Sequence, residues 1–245
     1  MPAPRLNKLN GIYRNRLLAT LPASTLGQLV PRLLPVDLPT NLTLQEPGKT
    51  VDYVYFLEDG VCSTVATMES GFSVEVGMVG RDGFVGTPVV LGAGNSPNRS
   101  FIPIAGYGFR VKAQALIELS DASYPLRSSL LRSVHGRLVQ TAQTAACNRV
   151  HDLPERLARW LLMCRDRVQT DQLSITQELL AMLLGTRRSS VTVAARTLQK
   201  AGLITYTRGH VVIRNRAGLE DASCECYRVV RDESVRLGLL EPLFP

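Results

Sequence analysis

The segment 173–216 most constrains the fold, because two short helical patterns, one glycine and a hairpin pattern follow one another without interruption. The first helix is predicted over 176–184, with leucines at helical spacing after a threonine that suits the N-cap. Gly185 then provides a residue that tolerates positive φ at a sharp turn. A second amphipathic helix is predicted over 187–201 and a hairpin over 204–214. This order is typical of a winged helix-turn-helix.

The second of these helices predicts which side chains read a DNA duplex. If its apolar stripe faces inward, the opposite face carries Ser189, Val193, Arg196 and Lys200. The N-terminal part of such a helix reaches base edges, so Arg188 suits a guanine, Ser189 several bases and Val193 a thymine methyl group. Arg196 and Lys200 lie further along the helix and are expected at phosphates.

Charge supports a nucleic-acid partner for this segment. No acidic residue occurs between Glu178 and Glu220, and the predicted hairpin tip 207–210 carries a cation on a short turn, as a phosphate-contacting wing requires. The chain has a net charge of +7, which indicates an anionic partner, either nucleic acid or a membrane surface, and no apolar run reaches the roughly 18 residues of a membrane span. Together with the helix-turn-helix pattern, the charge favours double-stranded DNA, and no membrane partner is expected. The residues predicted to contact DNA are Thr176, Gln177, Arg187, Arg188, Ser189, Ser190, Thr192, Val193, Arg196, Lys200, Arg208 and His210.

Two further regions precede this segment. Region 17–119 is rich in valine and aromatic residues punctuated by glycine and proline, with strands predicted at 51–57, 61–68, 73–79 and 109–111, which indicates an antiparallel sandwich or barrel. A single long helix is predicted over 124–150, and its apolar stripe either packs on the β domain or, as we favour, pairs with the same helix of a second chain. The candidate dimer residues are Leu130, Leu131, Val134, Leu138, Ala142 and Ala145.

The cysteines do not indicate a disulfide framework. There are five, an odd number, which is consistent with a reducing cytosol, and residues 1–10 lack the apolar core of a secretory signal. Cys224 and Cys226 form a C-x-C pair on a helix predicted around 219–237. Since no second pair or neighbouring histidine in the sequence completes a site, we expect a structural role for them and no metal.

The chain resembles the catabolite-activator (Crp/Fnr) family of bacterial transcription regulators over nearly its whole length. The resemblance is most specific in ITQELLAMLLGTRRSSVTVAARTLQKAGLI and PERLARWLL, and extends to LATLP, VDYVYFLEDGVCSTVATMESG and VEVGMVGRDGFVG. It implies an α+β fold: an antiparallel β-roll sensor domain like a cyclic-nucleotide-binding jelly roll (1–120), a dimerisation helix (121–150) and a winged helix-turn-helix (151–245). It also implies a cytoplasmic homodimer on a pseudo-palindromic operator, with RNA polymerase as a further partner.

The sequence departs from that family at two sites. Where its best-known members read DNA with Arg-Glu and a further Arg, this chain has Arg188, Ser189 and Val193, so a different target sequence is expected. The family's nucleotide-binding Gly-Glu pair aligns with Gly86-Thr87, which lacks the carboxylate, and its Arg-Ser pair aligns with Arg99-Ser100. These four residues are the candidate effector site, and a cyclic nucleotide is left open as its ligand.

Other functions fit the sequence less well. The only cysteine before residue 147 is Cys62, which does not support the four-cysteine cluster of the family's oxygen sensors. The sequence does not indicate an enzyme. It shows no Ser/His/Asp order, no paired carboxylates and no phosphate-binding loop with the spacing that would support one. The remaining alternative is a module binding a cyclic nucleotide or other small molecule, whose winged helix serves protein interaction.

Overall fold

A computed structural model describes residues 13–242 of the chain. The residues inspected for a secretory signal, 1–10, lie outside this range. Within it, no helix is both long enough and apolar enough to cross a bilayer.

The N-terminal part is a two-sheet β domain, which confirms the predicted antiparallel sandwich. Its strands are β1 (Leu34–Leu38), β2 (Thr43–Gln45), β3 (Tyr53–Leu57), β4 (Val61–Thr67), β5 (Ser73–Val79), β6 (Arg99–Ile104) and β7 (Gly106–Lys112). They pair antiparallel in the orders β1-β7-β3 and β2-β6-β4-β5. Three short helices accompany them: α1 (Arg16–Ala19), α2 (Ala23–Leu29) and α3 (Thr87–Val90).

Strand β7 is longer than its predicted core of 109–111, because its glycines weaken the strand signal in the sequence. Gly108 stands where a Cβ would collide with the carbonyl oxygen of Phe56 on the paired strand. Gly106 meets the backbone of Asp59 in the same way. Both glycines therefore allow a close approach of two backbones.

Two helices follow the β domain, α4 (Ala113–Ala122) and the 27-residue α5 (Tyr124–Val150). One face of α5 packs into the β domain, where Leu130 is 0% and Val134 7% exposed. The prediction that these two residues face a second chain is therefore wrong, since their own chain already covers them. The predicted apolar stripe combined residues from two faces of α5. Leu131 and Leu138 lie on another side of the helix, where they are 46% and 62% exposed.

The C-terminal part is a helical domain with a small three-stranded sheet, ordered β8-β10-β9. Its elements are α6 (Leu153–Val168), β8 (Gln172–Ser174), α7 (Gln177–Leu183), α8 (Arg188–Lys200), β9 (Ile204–Thr207), β10 (His210–Ile213), α9 (Arg216–Asp221) and α10 (Cys226–Arg236). A capping box between Asp152 and Glu155 starts α6, whose Trp160 is buried.

The last predicted helix, around 219–237, is wrong as one continuous element. It is divided into α9 and α10 by residues 222–225. The hydroxyl of Ser223 donates to the carbonyl oxygen of Glu220 at 2.7 Å, which provides a local alternative to helix continuation.

The two domains share a packed joint. Trp160 and its neighbours on α6 belong to the same apolar core as Val61, Val65 and Met78 of the β domain. In addition, Arg167 of α6 forms a buried ion pair with Asp82 at 2.6 Å. The helix-turn-helix is thereby positioned directly against the β4–β5 hairpin.

Candidate nucleic-acid interface

The two short helices α7 and α8 form the predicted helix-turn-helix. The hydroxyl of Thr176 caps α7 by accepting from the Leu179 N–H at 3.2 Å. Gly185 adopts φ +62° in the turn, and a Cβ there would lie 2.9 Å from Val74 Cγ2 on the β4–β5 hairpin. The hydroxyl of Thr192 on α8 donates to Gln177 Oε1 at 2.8 Å, which ties the two helices together.

Helix α8 divides cleanly into a buried and an exposed face. Its apolar stripe is at most 2% exposed and consists of Val191, Ala194, Ala195 and Leu198. The opposite surface is open to solvent at Arg187, Arg188, Ser189, Val193, Arg196, Thr197 and Lys200, while Ser190 and Thr192 are half-buried. Val193 is 63% exposed, which is unusual for valine and leaves its methyl groups available to a partner.

Arg188 already has a partner on the neighbouring helix. Its Nε lies 3.0 Å from Glu178 Oε1, and both side chains are mostly exposed. The sequence does not predict this pair, because Glu178 on α7 meets Arg188 only through the turn that joins the two helices. The pair positions Arg188 at the start of α8, and a stronger hydrogen-bond acceptor could displace Glu178 at little cost because the pair is solvent-exposed.

The wing is a tight hairpin between β9 and β10. Its two turn residues, Arg208 and Gly209, both have positive φ, +49° and +81°, as in the two-residue hairpin turns that match strand twist. Arg208 is exposed at the tip. His210 Nδ1 instead lies 3.2 Å from Ser174 Oγ on β8, so this residue is engaged with its own sheet.

Two hydrogen bonds fix the wing relative to the helices. The Tyr206 N–H donates to Gln199 Oε1 on α8 at 2.7 Å. The Tyr206 hydroxyl donates to the carbonyl oxygen of Ile175 at 2.8 Å, and burial raises the pKa of Tyr206 to about 12, so this donor keeps its proton. The wing and α8 therefore present their cations as one rigid surface.

Among the described residues, Glu178 is the one acidic side chain that pairs with a cation of this surface, through Arg188. Within residues 13–242, Arg187, Arg196, Lys200 and Arg208 form no ion pair. Four exposed cations without an ion-pair partner, on a surface formed by a helix and a hairpin, fit the phosphates that flank a groove of duplex DNA.

Residues 155–222 match the family model described as a Crp-like helix-turn-helix domain. The chain is a transcriptional regulator with a Crp-like DNA-binding domain. This agrees with the resemblance expected from the sequence and with the exposed face of α8, and it places the protein among DNA-binding regulators rather than enzymes.

The similarity of this regulator to Crp/Fnr-type proteins extends beyond the matched domain. A global nitrogen regulator of Nostoc sp. strain PCC 7120 is 22% identical over 184 residues, which cover 71% of this chain and 82% of the relative. A crp/fnr regulator structure from Eubacterium rectale superimposes with a TM-score of 0.65 at 16% identity, covering 84% of this chain and 96% of that one. The c-di-GMP responsive regulator CLP of Xanthomonas campestris gives a TM-score of 0.64 at 19% identity, covering 78% and 99%. These structures share the fold.

The β domain of the regulator holds a cavity of about 290 Å³. Gly86, Thr87 and Ser100 line it, as three of the four candidate effector residues. Arg99 does not line this cavity, because its guanidinium lies over the ring of Phe101, 4.6 Å from the ring centre.

The cation in the cavity wall is Arg137 of α5, which sequence reasoning missed. Its Nη1 donates to Thr64 Oγ1 at 3.4 Å and its Nη2 to the Phe84 carbonyl oxygen at 3.3 Å. Burial lowers the pKa of Arg137 from its ordinary value. No local sequence signal reveals this role, since the long helix brings Arg137 to the cavity only through the fold.

The structure also corrects the expectation about the C-x-C pair. Cys224 and Cys226 lie beside Cys147 and His151 at the end of α5, so a histidine and a third cysteine do complete a group. The sequence concealed this group because about 75 residues separate its two halves.

Proposed function

We propose that the protein acts as a homodimer on a pseudo-palindromic DNA site, with one α8 in the major groove of each half-site. The observation that carries this proposal is the face of α8 whose apolar and cationic side chains are exposed to solvent on a helix-turn-helix. In this arrangement the N-terminal residues Arg188, Ser189 and Val193 read bases. Arg196, Lys200 and the wing's Arg208 contact phosphates.

The exposed side of α5 supports a second copy as the dimer partner. Non-buried residues recur there with alternating steps of four and three: Tyr124, Ser128, Leu131, His135, Leu138, Ala142, Ala145 and Arg149. This 3.5-residue period is the seam of a two-stranded coiled coil. The seam differs from the predicted stripe by omitting Leu130 and Val134 and keeping Leu131, Leu138, Ala142 and Ala145.

We propose the cavity beside Arg137 as the place where a small anionic ligand acts on the dimer. Arg137 belongs to α5, so a ligand bound there would contact the β domain and the proposed dimer helix together. Thr87 provides no carboxylate to bind a ribose hydroxyl. This favours an anionic ligand that differs from the nucleotides bound by a Gly-Glu pair. Recruitment of RNA polymerase in the cytosol would then follow DNA binding.

Selection of bound sequences from a random DNA pool tests the proposal. A homodimer should enrich two inverted half-sites whose centres lie about one helical turn, roughly 10 bp, or a multiple apart. Binding should weaken steeply as salt rises. Failure to retain any duplex at low salt, with intact folding, would favour the alternative module in which the winged helix binds protein.

A further inference from the structure

The sulfur and nitrogen atoms of four side chains converge where α5, α6 and α10 meet. Cys147 lies in the last turn of α5 and His151 directly after it, while Cys224 and Cys226 flank the start of α10. Their ligand atoms all lie within 4.8 Å of one another. The three cysteines are at most 4% exposed and form a small buried cluster of their own.

The spacing of these atoms fits the ligands of one tetrahedral ion. Cys147 Sγ lies 3.5 Å from Cys224 Sγ, and Cys226 Sγ lies 3.5 Å from His151 Nδ1. Ligands at the usual zinc–sulfur and zinc–nitrogen lengths, placed at the corners of a tetrahedron, are about 3.5–3.8 Å apart. A set of three cysteines and one histidine is a standard closed zinc site.

The histidine is oriented as a metal ligand requires. His151 Nδ1 faces the sulfur atoms, while its other nitrogen, Nε2, lies 3.1 Å from Glu225 Oε2. A carboxylate on the far nitrogen of a ligating histidine fixes the ring and its tautomer. Gln143 Nε2 also donates to Cys226 Sγ at 3.1 Å, as donors commonly do to a metal-bound thiolate.

The charges around the cluster suit an ion with three thiolates. Three thiolates and one divalent cation leave one net negative charge. The guanidinium of Arg159, only 4% exposed, donates to Thr144 Oγ1 at 3.3 Å, one turn before Cys147. The positive charge of Arg159 therefore lies near Cys147, where it can offset the net negative charge of the bound ion and its three thiolates.

The break between α9 and α10 brings both cysteines of the C-x-C pair to the cluster. On a continuous helix, residues two apart point to nearly opposite faces. Here Cys224 precedes α10 and Cys226 begins it, so both sulfur atoms turn toward Cys147.

From this geometry we propose that Cys147, His151, Cys224 and Cys226 bind a single tetrahedral metal ion of the zinc class. A four-iron cluster fits less well, because each of its ligands binds a different iron and the ligands lie further apart than those of one ion. The ion would fasten the start of α10 to the junction of α5 and α6, where the long helix ends and the DNA-binding domain begins.

Metal analysis of the full chain, purified without a polyhistidine tag under anaerobic conditions, tests this proposal. We expect about one zinc per chain by mass spectrometry of the digested protein. Replacing the ion with Co²⁺ should give thiolate-to-cobalt absorption in the near ultraviolet and the intense visible bands of tetrahedral Co²⁺. Cys226→Ser should lose both signals, whereas Cys62→Ser, a buried cysteine outside the cluster, should keep them.

A second variant keeps the test decisive if Cys226→Ser fails to fold. Glu225→Gln removes the carboxylate behind His151 and should lower zinc affinity about 10–100-fold in competition with a chromophoric chelator. Asp232→Asn removes an equal charge from an exposed position of α10 and should leave the affinity unchanged. Stoichiometry below a tenth of an ion with no Co²⁺ spectrum, iron with inorganic sulfide, or a Cys147–Cys224 disulfide in the anaerobic protein would each overturn the proposal.

Discussion

Trp160 Nε1 donates a hydrogen bond to Glu75 Oε1 at 3.2 Å, joining the DNA-binding domain to strand β5. The Ser63 hydroxyl donates to the other carboxyl oxygen. Burial raises the pKa of Glu75 to about 7, although these two hydrogen bonds and the charges of Arg159 and Arg167 act in the opposite direction. A carboxyl group at the joint between two domains therefore titrates near neutral pH.

The first prediction is that Glu75 makes stability fall as pH rises. The folded-state pKa of about 7 exceeds the ordinary value of 4.5, so the folded chain keeps a proton that the unfolded chain releases. The resulting stabilisation is complete below about pH 4.5 and is lost as pH rises through 7. Between pH 5 and pH 8, urea unfolding should show a loss on the order of 2 kcal/mol that Glu75→Gln abolishes.

Glu69→Gln provides the control, since Glu69 is an exposed carboxyl near the tip of the same hairpin. It should leave the pH dependence of unfolding unchanged. An identical pH profile for Glu75→Gln and the unmodified chain would show that Glu75 keeps an ordinary pKa.

The second prediction concerns the buried ion pair at the same joint. Arg167 Nη2 and Asp82 Oδ2 lie 2.6 Å apart, with side chains 3% and 9% exposed. Asp82→Asn leaves a buried guanidinium without its charge partner and should cost about 3–5 kcal/mol of unfolding free energy. The matched control is the exposed pair Arg165–Asp171 at 2.9 Å, where Asp171→Asn should cost less than about 1 kcal/mol. Equal losses in the two variants would contradict the buried arrangement.

The sequence predicted α7, α8 and the wing well because their signals are local. Helical periodicity, the N-cap threonine and Gly185 all lie within one short stretch, and its turn chemistry and hydrophobic spacing point to the same structure. The buried and exposed faces of α8 follow from that periodicity alone.

The features that the sequence left out depend on contacts between distant segments. Helix α5 packs against the β domain on one side and exposes apolar residues on another, so a single stripe could not separate Leu130 from Leu131. Arg137 reaches the cavity, and Cys147 reaches Cys224, only because the chain folds back on that helix. The spacing of residues in a single sequence does not predict contacts between segments so far apart in the chain.

The third prediction separates base reading from phosphate contact on α8. Arg188→Ala should cost about 1–3 kcal/mol for each half-site of the selected DNA and relax the preference at one base position in each half-site. Arg196→Ala removes the same charge further along the helix and should weaken binding to all sequences about equally. Competition titrations against single-base variants of the site measure both effects, and an unchanged preference in Arg188→Ala would remove it from the base readers.

The fourth prediction concerns the wing. Arg208 has φ +49°, so Asn, which tolerates this conformation, is a better substitute than Ala. Arg208→Asn should weaken binding to every duplex and reduce the slope of log affinity against log salt by about two, because each subunit of the dimer loses one phosphate contact. Thr205→Asn on the same hairpin, away from the tip, should leave the slope unchanged. A change of base preference in Arg208→Asn would mean that the wing reads sequence.

The fifth prediction distinguishes the two apolar faces of α5. Leu138, 62% exposed, lies on the proposed coiled-coil seam, so Leu138→Lys should convert a dimer to a folded monomer in sedimentation velocity. Leu130, 0% exposed, lies in the core of its own chain, so Leu130→Ala should instead lower the unfolding free energy by about 2–5 kcal/mol. Leu34→Lys, at a 46% exposed position on the edge strand β1, is the surface control. If Leu138→Lys and Leu34→Lys both remain dimeric, the seam on α5 is not the dimer interface, because a buried lysine in a coiled-coil core strongly disfavours pairing.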